Sequence, residues 1–302
     1  MTAPAALRRA IDWGELAPLK LRARQVAEGV YAGMHRSNKR GAGVEFGGYR
    51  EYVQGDDLRW LDRRSLLRHD RLVVRQFETE TDRALCLLVD ASASMGFRSK
   101  AAPGAKIAFA AVVAAALTRV ALASGDPVSL TFLGGGERAA HVPRSAGRDQ
   151  FERIVAALET VEPGGDARVD HVMLDRALQA LSRATRRGAI VVFLSDLVDL
   201  PDHAADRVTA IAATGRVLSI VQTLDPAEVD FPFAGTVRLR ALEGGAVVET
   251  DAEATRDRYL AALAALTESW ESAAVRRGGR FRRATTTDDA VGVVRGIVEG
   301  VR

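Results

Sequence analysis

From Arg83 onward the chain alternates short apolar runs with longer segments of helical periodicity, an order that few architectures accept. ALCLLVD reads as a buried strand ending in a carboxylate, and AKIAFAAVVAAALTRVALAS as an apolar helix that stops before Gly125. PVSLTFL is the next strand, followed by helices over about 148–159 and 172–185, the strand AIVVFLSD, a helix over 202–213 and the strand RVLSIVQTLD. Strands that are apolar along their whole length suit a parallel sheet covered by helices on both faces. The expected fold class is therefore α/β, with a doubly wound, mainly parallel sheet. After Asp225 the order changes: TVRLRAL and AVVET flank Glu243, Gly244 and Gly245 as a short hairpin. A long helix then begins near Ala252, carries Tyr259, Leu263, Leu266 and Trp270 on one face and ends at Gly278 and Gly279. RFRRAT as a strand and a helix from about Asp288 close the chain. Residues 1–80 show no such alternation; they read as a charged arm carrying a helix over about 15–31 and a strand near Leu72, ahead of a domain over 81–302.

A length of 302 residues with 47% hydrophobic and 27% charged residues excludes disordered and fibrous classes. The longest apolar run, Ile107 to Leu117, falls short of the roughly 18 residues of a membrane span. The first residues lack the continuous apolar centre of a secretory signal, and Cys86 is the single cysteine, so the expected location is cytoplasmic. Basic residues number 42 against 39 acidic ones, for a net charge of +3. The signs are mixed along the chain and the arginines are not interleaved with stacking aromatics, which argues against nucleic acid as a partner.

Chemistry concentrates at Asp90-Ala91-Ser92-Ala93-Ser94, where the first strand of the alternating region ends. Open α/β sheets bind ligands at the carboxyl ends of their strands, and alternate spacing lets three short oxygen side chains turn toward one point. Oxygen ligands suit a hard cation such as Mg²⁺ or Mn²⁺. Asp196 ends a later strand, so the fold can bring it beside Asp90. The competing reading is that Ser92 or Ser94 caps the following helix while Asp90 binds backbone amides.

Asp-x-Ser-x-Ser after an apolar strand, with Asp after a later one, resembles the metal-ion-dependent adhesion site of von Willebrand factor type A domains. That resemblance implies Mg²⁺ held by Asp90, Ser92, Ser94 and Asp196, with an acidic side chain of a protein partner completing the shell. The family's middle-loop threonine has no match in GGDARVDHVMLDRAL, where Asp166 or Asp170 is left to supply the oxygen. A second resemblance runs from about residue 40 to the C-terminus. GGYREYVQGDDLRWLDRRSLLRHDRLVVRQFETE is similar to the signature of the bacterial domain of unknown function 58 family. It is carried by Arg50, Glu51, Tyr52, Gly55, Asp56, Asp57, Arg59, Leu61 and Asp62, with Arg63 where the family commonly has Trp. The resemblance implies a non-enzymatic adaptor that works with a MoxR-type AAA+ ATPase. In the arm, Arg50, Asp56, Asp57, Arg59 and Asp62 either fasten the segment through ion pairs or face a partner.

Two other functions draw on the same residues. Ser92-Ala93-Ser94-Met95-Gly96 is a degenerate nucleophile elbow, and Ser94, Asp196 and His203 follow the chain order of α/β-hydrolases, although the glycine two residues before the nucleophile is absent. A purely structural α/β adaptor without metal would use the same faces. The five histidines lack zinc spacing, and no GxxxxGK[ST] loop for a nucleotide is present.

Overall fold

The structure, a computed structural model, describes residues 10–37, 49–51, 73–75, 83–136, 139, 141–166, 170–240 and 247–301. The chain forms two compact units, one of Met1–Gly33 with Asp82–Arg302 and one of Met34–Thr81. Met1–Gly33 thus groups with the large unit and not with the rest of the expected arm, whose compact unit ends at Thr81. The reason is the helix α1 (Leu19–Ser37), whose Leu19, Ala23, Val26, Ala27 and Val30 are buried. Backbone bonds tie the residues ahead of it to the large unit, with Glu15 N–H donating to Pro103 O at 2.8 Å and Ala105 N–H to Asp12 O at 2.9 Å. In the small unit, strands β1 (Tyr49–Glu51) and β2 (Val73–Arg75) pair antiparallel with Arg50 opposite Val74. Tyr52, Gly55, Asp56, Asp57, Arg59, Leu61, Asp62 and Arg63 lie outside the described residues.

The large unit is built on a six-stranded sheet. Its strands are β3 (Leu85–Ala91), β4 (Val128–Gly134), β5 (Val142–Ser145), β6 (Ile190–Ser195), β7 (Val217–Leu224) and β10 (Arg280–Thr285). The spatial order is β10-β7-β6-β3-β4-β5, parallel throughout except for β5 at one edge. All seven residues of β3 and all six of β6 are buried, as near-continuous apolar strands between two helical layers must be. Period-two alternation sorts their side chains. Cys86, Leu88, Val191 and Phe193 join Leu174, Leu181, Val208 and Trp270 in one core cluster. That layer is made by α4 (His171–Ala184), α5 (Ala204–Ala213) and α7 (Ala252–Arg276).

The other layer is dominated by α2 (Lys106–Ala123), accompanied by α3 (Gln150–Thr160) and α8 (Ala290–Val301). By length and composition α2 could cross a membrane, with a mean hydropathy of 1.8, but 83% of it is buried within the protein. Its alanines present no bulk, so neighbouring elements close around it on nearly all sides. α1 joins this layer at α8: Arg295 Nη2 donates to Gly29 O at 3.3 Å, and a Cβ on Gly29 would meet Val291 Cγ2 at 2.9 Å.

Among the described residues, the strand β1, the edge strand β5 and the five-residue helix α6 (Pro226–Asp230) escape the sequence pattern. The expected hairpin forms from β8 (Thr236–Arg240) and β9 (Val247–Asp251), which pair antiparallel.

Candidate functional site

Register places the site before any side chain is considered. Leu85 pairs with Ile190 and Val89 with Leu194, so the next step along β3 and β6 sets Asp90 beside Ser195. Both are fully buried, and the Ser195 hydroxyl donates to Asp90 Oδ2 at 2.5 Å. Ser195 Oγ accepts in turn from Leu197 N–H at 2.9 Å, and Asp90 Oδ1 accepts from Ser92 N–H at 2.8 Å. Neutral donors therefore hold the Asp90 carboxylate from two sides. Burial, together with the nearby charge of Asp196, pushes its pKa up to about 6.

Ser92 and Ser94 do not cap the helix. α2 starts at Lys106 with Ala105 at the cap position, and the segment after Ser92 is a single 3₁₀ turn, Ala93–Gly96, with no side-chain cap bond. The two hydroxyls instead face each other, with Oγ atoms 3.1 Å apart. The loop that carries them is stitched to the segment after α3: Gly164 N–H donates to Ala91 O at 2.8 Å and Ala93 N–H to Gly165 O at 3.2 Å. Gly134 makes this closeness available. Its φ is +81°, and a Cβ would lie 2.9 Å from Gly164 O and 3.0 Å from Ser92 N.

Asp196 is also fully buried, but its environment is ionic. Oδ1 accepts from Val198 N–H at 3.0 Å, while Oδ2 accepts from Lys106 Nζ at 2.7 Å. The same ammonium donates to Glu228 Oε1 at 2.5 Å and lies 5.9 Å from the centre of the Phe97 ring. Burial opposes the charge on Lys106, yet Asp196 and Glu228 together outweigh it and raise the pKa. Glu228 has a single cation against its own burial, and its carboxyl shifts upward. Glu228 also closes a capping box at α6: Asp225 Oδ1 accepts from Ala227 N–H, and Glu228 Oε2 accepts from Asp225 N–H at 2.8 Å. Among the described residues, positive φ at non-glycine positions occurs at Leu197 (65°), Asp199 (56°) and Phe231 (43°). All three follow a partner of Lys106 within a few residues, so the two loops that the ammonium joins are also where backbone strain gathers.

Sequence reasoning missed Lys106, Glu228 and Ser195. Only Lys106 left a trace: one of four lysines in the chain, it stands at the head of the most apolar helical run.

The remaining candidates divide. Asp166 follows Gly165 in the segment bonded to the serine loop, and its carbonyl accepts from Asp170 N–H at 2.9 Å. Asp170 caps α4, with Oδ1 accepting from Val172 N–H at 3.1 Å and Oδ2 3.9 Å from Arg176. His203 sits at the cap position of α5 without a side-chain cap bond. Cys86 is buried in the sheet.

The atoms able to hold a hard cation are thus the oxygens of Asp90, Ser92, Ser94 and Asp196, an all-oxygen set at one strand edge. Among the described residues no group of three or more His, Cys, Asp or Glu side chains is arranged for metal binding, so such an ion would rely on hydroxyls and water for much of its shell. Beyond Gly134 and Gly165 opens a groove of about 510 Å³, lined in part by His141, Asp170, Met173 and Arg176.

The family described as "Protein of unknown function DUF58" matches residues 48–269. An uncharacterized protein of Mycobacterium bovis and one of Mycobacterium tuberculosis are each 34% identical over 269 residues, which is 87% of this chain and 82% of theirs. Among solved structures, the conserved hypothetical protein BatB from Bacteroides thetaiotaomicron is 16% identical with a TM-score of 0.45, over 72% of this chain and 98% of its own. An aerotolerance-related membrane protein from Bacteroides fragilis gives the same values.

Proposed function

This chain belongs to the DUF58 family, and we propose that it is a non-enzymatic interaction protein whose type A-like α/β domain holds Mg²⁺ at Asp90, Ser92, Ser94 and Asp196. The observation that carries this reading is the pair of hydroxyls on Ser92 and Ser94, 3.1 Å apart and released from helix capping, above two buried carboxylates at the carboxyl edge of the sheet. The bound ion would supply positive charge and an open coordination position, and Asp90 would orient it through a carboxylate fixed by Ser195. The natural ligand for that position is an Asp or Glu of another protein, and a MoxR-type AAA+ ATPase is the proposed partner. The groove that opens at Gly134 and Gly165, the glycines packed against the serine loop, is the proposed seat for the partner's polypeptide segment.

Calorimetric titration of the full chain with Mg²⁺ and Mn²⁺ tests the reading. Wild type should bind one ion, and Asp90→Ala should bind none while keeping its circular dichroism spectrum. Equal Mn²⁺ affinity in Asp90→Ala and wild type would remove the site.

A further inference from the structure

We propose that Lys106 determines what this site accepts: resting on the Mg²⁺ reading above, its ammonium balances the charge of Asp196 so that the ion-loaded site takes an anionic ligand. An ammonium is costly to bury, and Lys106 is fully buried at the first position of α2. It pairs with the partly exposed Glu228 and also with a fully buried carboxylate of the site, Asp196 Oδ2 at 2.7 Å. The two acidic residues of the site are thereby made unequal. Asp90 is held by the neutral donors Ser92 N–H and Ser195 Oγ, whereas Asp196 is matched by a full positive charge before any ion arrives.

Charge counting shows the consequence. A divalent ion on two carboxylates is formally neutral, and a third carboxylate from a partner would leave the assembly at −1 in a buried, low-dielectric place. The Lys106 ammonium offsets that charge, and with Glu228 also counted the assembly stands at −1 where it would reach −2 without the ammonium. Glu228 stands on the other side of the ammonium, at 2.5 Å, and draws its charge away from Asp196. Asp225 adds another buried carboxylate nearby, but its oxygens are turned to Ser99 N–H and Ala227 N–H and stay constant in the comparison below.

The test is a charge cycle in the full chain with Mn²⁺ and acetate as probes, read by water-proton relaxation of the bound ion. The four proteins are wild type, Lys106→Met, Glu228→Gln and the double variant, each checked for folding by circular dichroism. Lys106→Met should bind Mn²⁺ about tenfold more tightly than wild type, and its loaded form should bind acetate about tenfold more weakly, as one unit charge at close range dictates. Glu228→Gln should shift both affinities the other way. The double variant, having lost one charge of each sign, should return toward wild type. Acetate affinity that is the same in all four proteins overturns the inference, as does a folded Lys106→Met that no longer binds Mn²⁺. If Lys106→Met does not fold, Glu228→Gln decides alone, since it keeps the ammonium; unchanged acetate affinity there is a negative result. Failure of wild type to bind Mn²⁺ is a separate outcome that removes the Mg²⁺ reading and this inference together.

Discussion

At Asp90 a single carboxylate couples stability to pH. Its pKa is pushed up to about 6 by burial first and by Asp196 second, above the ordinary value of 3.8. A carboxyl raised in this way binds more protons when folded than when unfolded, so its ionisation works against folding. The deficit is absent below about pH 4, grows between pH 4 and 6, and is complete above the folded pKa. Its size is on the order of 3 kcal/mol at neutral pH. Glu228 and Asp126 are raised as well, each by burial, and act with the same sign. Denaturant unfolding in EDTA should therefore show stability falling as pH rises from 4 to above 6, and Asp90→Asn should lose most of that slope. Addition of Mg²⁺ at neutral pH should recover stability in wild type and not in the variant, because an ion offsets the repulsion between Asp90 and Asp196. A slope in Asp90→Asn equal to that of wild type would assign the effect elsewhere.

Among the elements, the junction between β4 and the segment after α3 is the part least able to absorb change. Gly134 has φ +81°, and an added Cβ meets only backbone: Gly164 O at 2.9 Å, Ser92 N at 3.0 Å and Ala91 C at 3.1 Å. No side chain can rotate away, so the serine loop itself must shift. Gly125 has the same φ of +81° with nothing within 4 Å. Gly134→Ala and Gly125→Ala should each lose about 1–2 kcal/mol from backbone strain, and Gly134→Ala more than that from the clash. Only Gly134→Ala should also weaken Mn²⁺ binding by calorimetry; equal ion affinity in the two variants would mean the serine loop does not form the shell. The same elements show what a sequence can reveal. β3 and β6 were legible because burial on both faces leaves a nearly unbroken apolar run, and their acidic ends, Asp90 and Asp196, could be read as strand ends facing one edge. β5, with its sequence VPRS, and α6 are too short to establish a period. The ion triad was illegible for a different reason: Lys106 lies 90 residues from Asp196 and 122 from Glu228, and only the sheet order brings them together.

For the whole molecule, charge is a weak guide to a partner. With 42 basic and 39 acidic residues and a net charge of +3, no strong overall field draws an acidic protein toward this one. Attraction has to be local, and an ion with an open coordination position is the strongest local source that the Mg²⁺ reading provides. Association with a MoxR-type ATPase from the same organism should then depend more on the ion than on salt. EDTA, Asp90→Ala and Ser92→Ala should each weaken it at least tenfold, about 1.4 kcal/mol, in a quantitative pull-down. Raising ionic strength should have a smaller effect, because a contact within the ion's own shell is screened little. Arg59→Ala, in the unit of Met34–Thr81, examines the second surface independently. If binding survives both EDTA and Asp90→Ala but falls with Arg59→Ala, recognition belongs to the arm with its Arg50, Asp56, Asp57, Arg59 and Asp62, and the α/β unit serves as its scaffold.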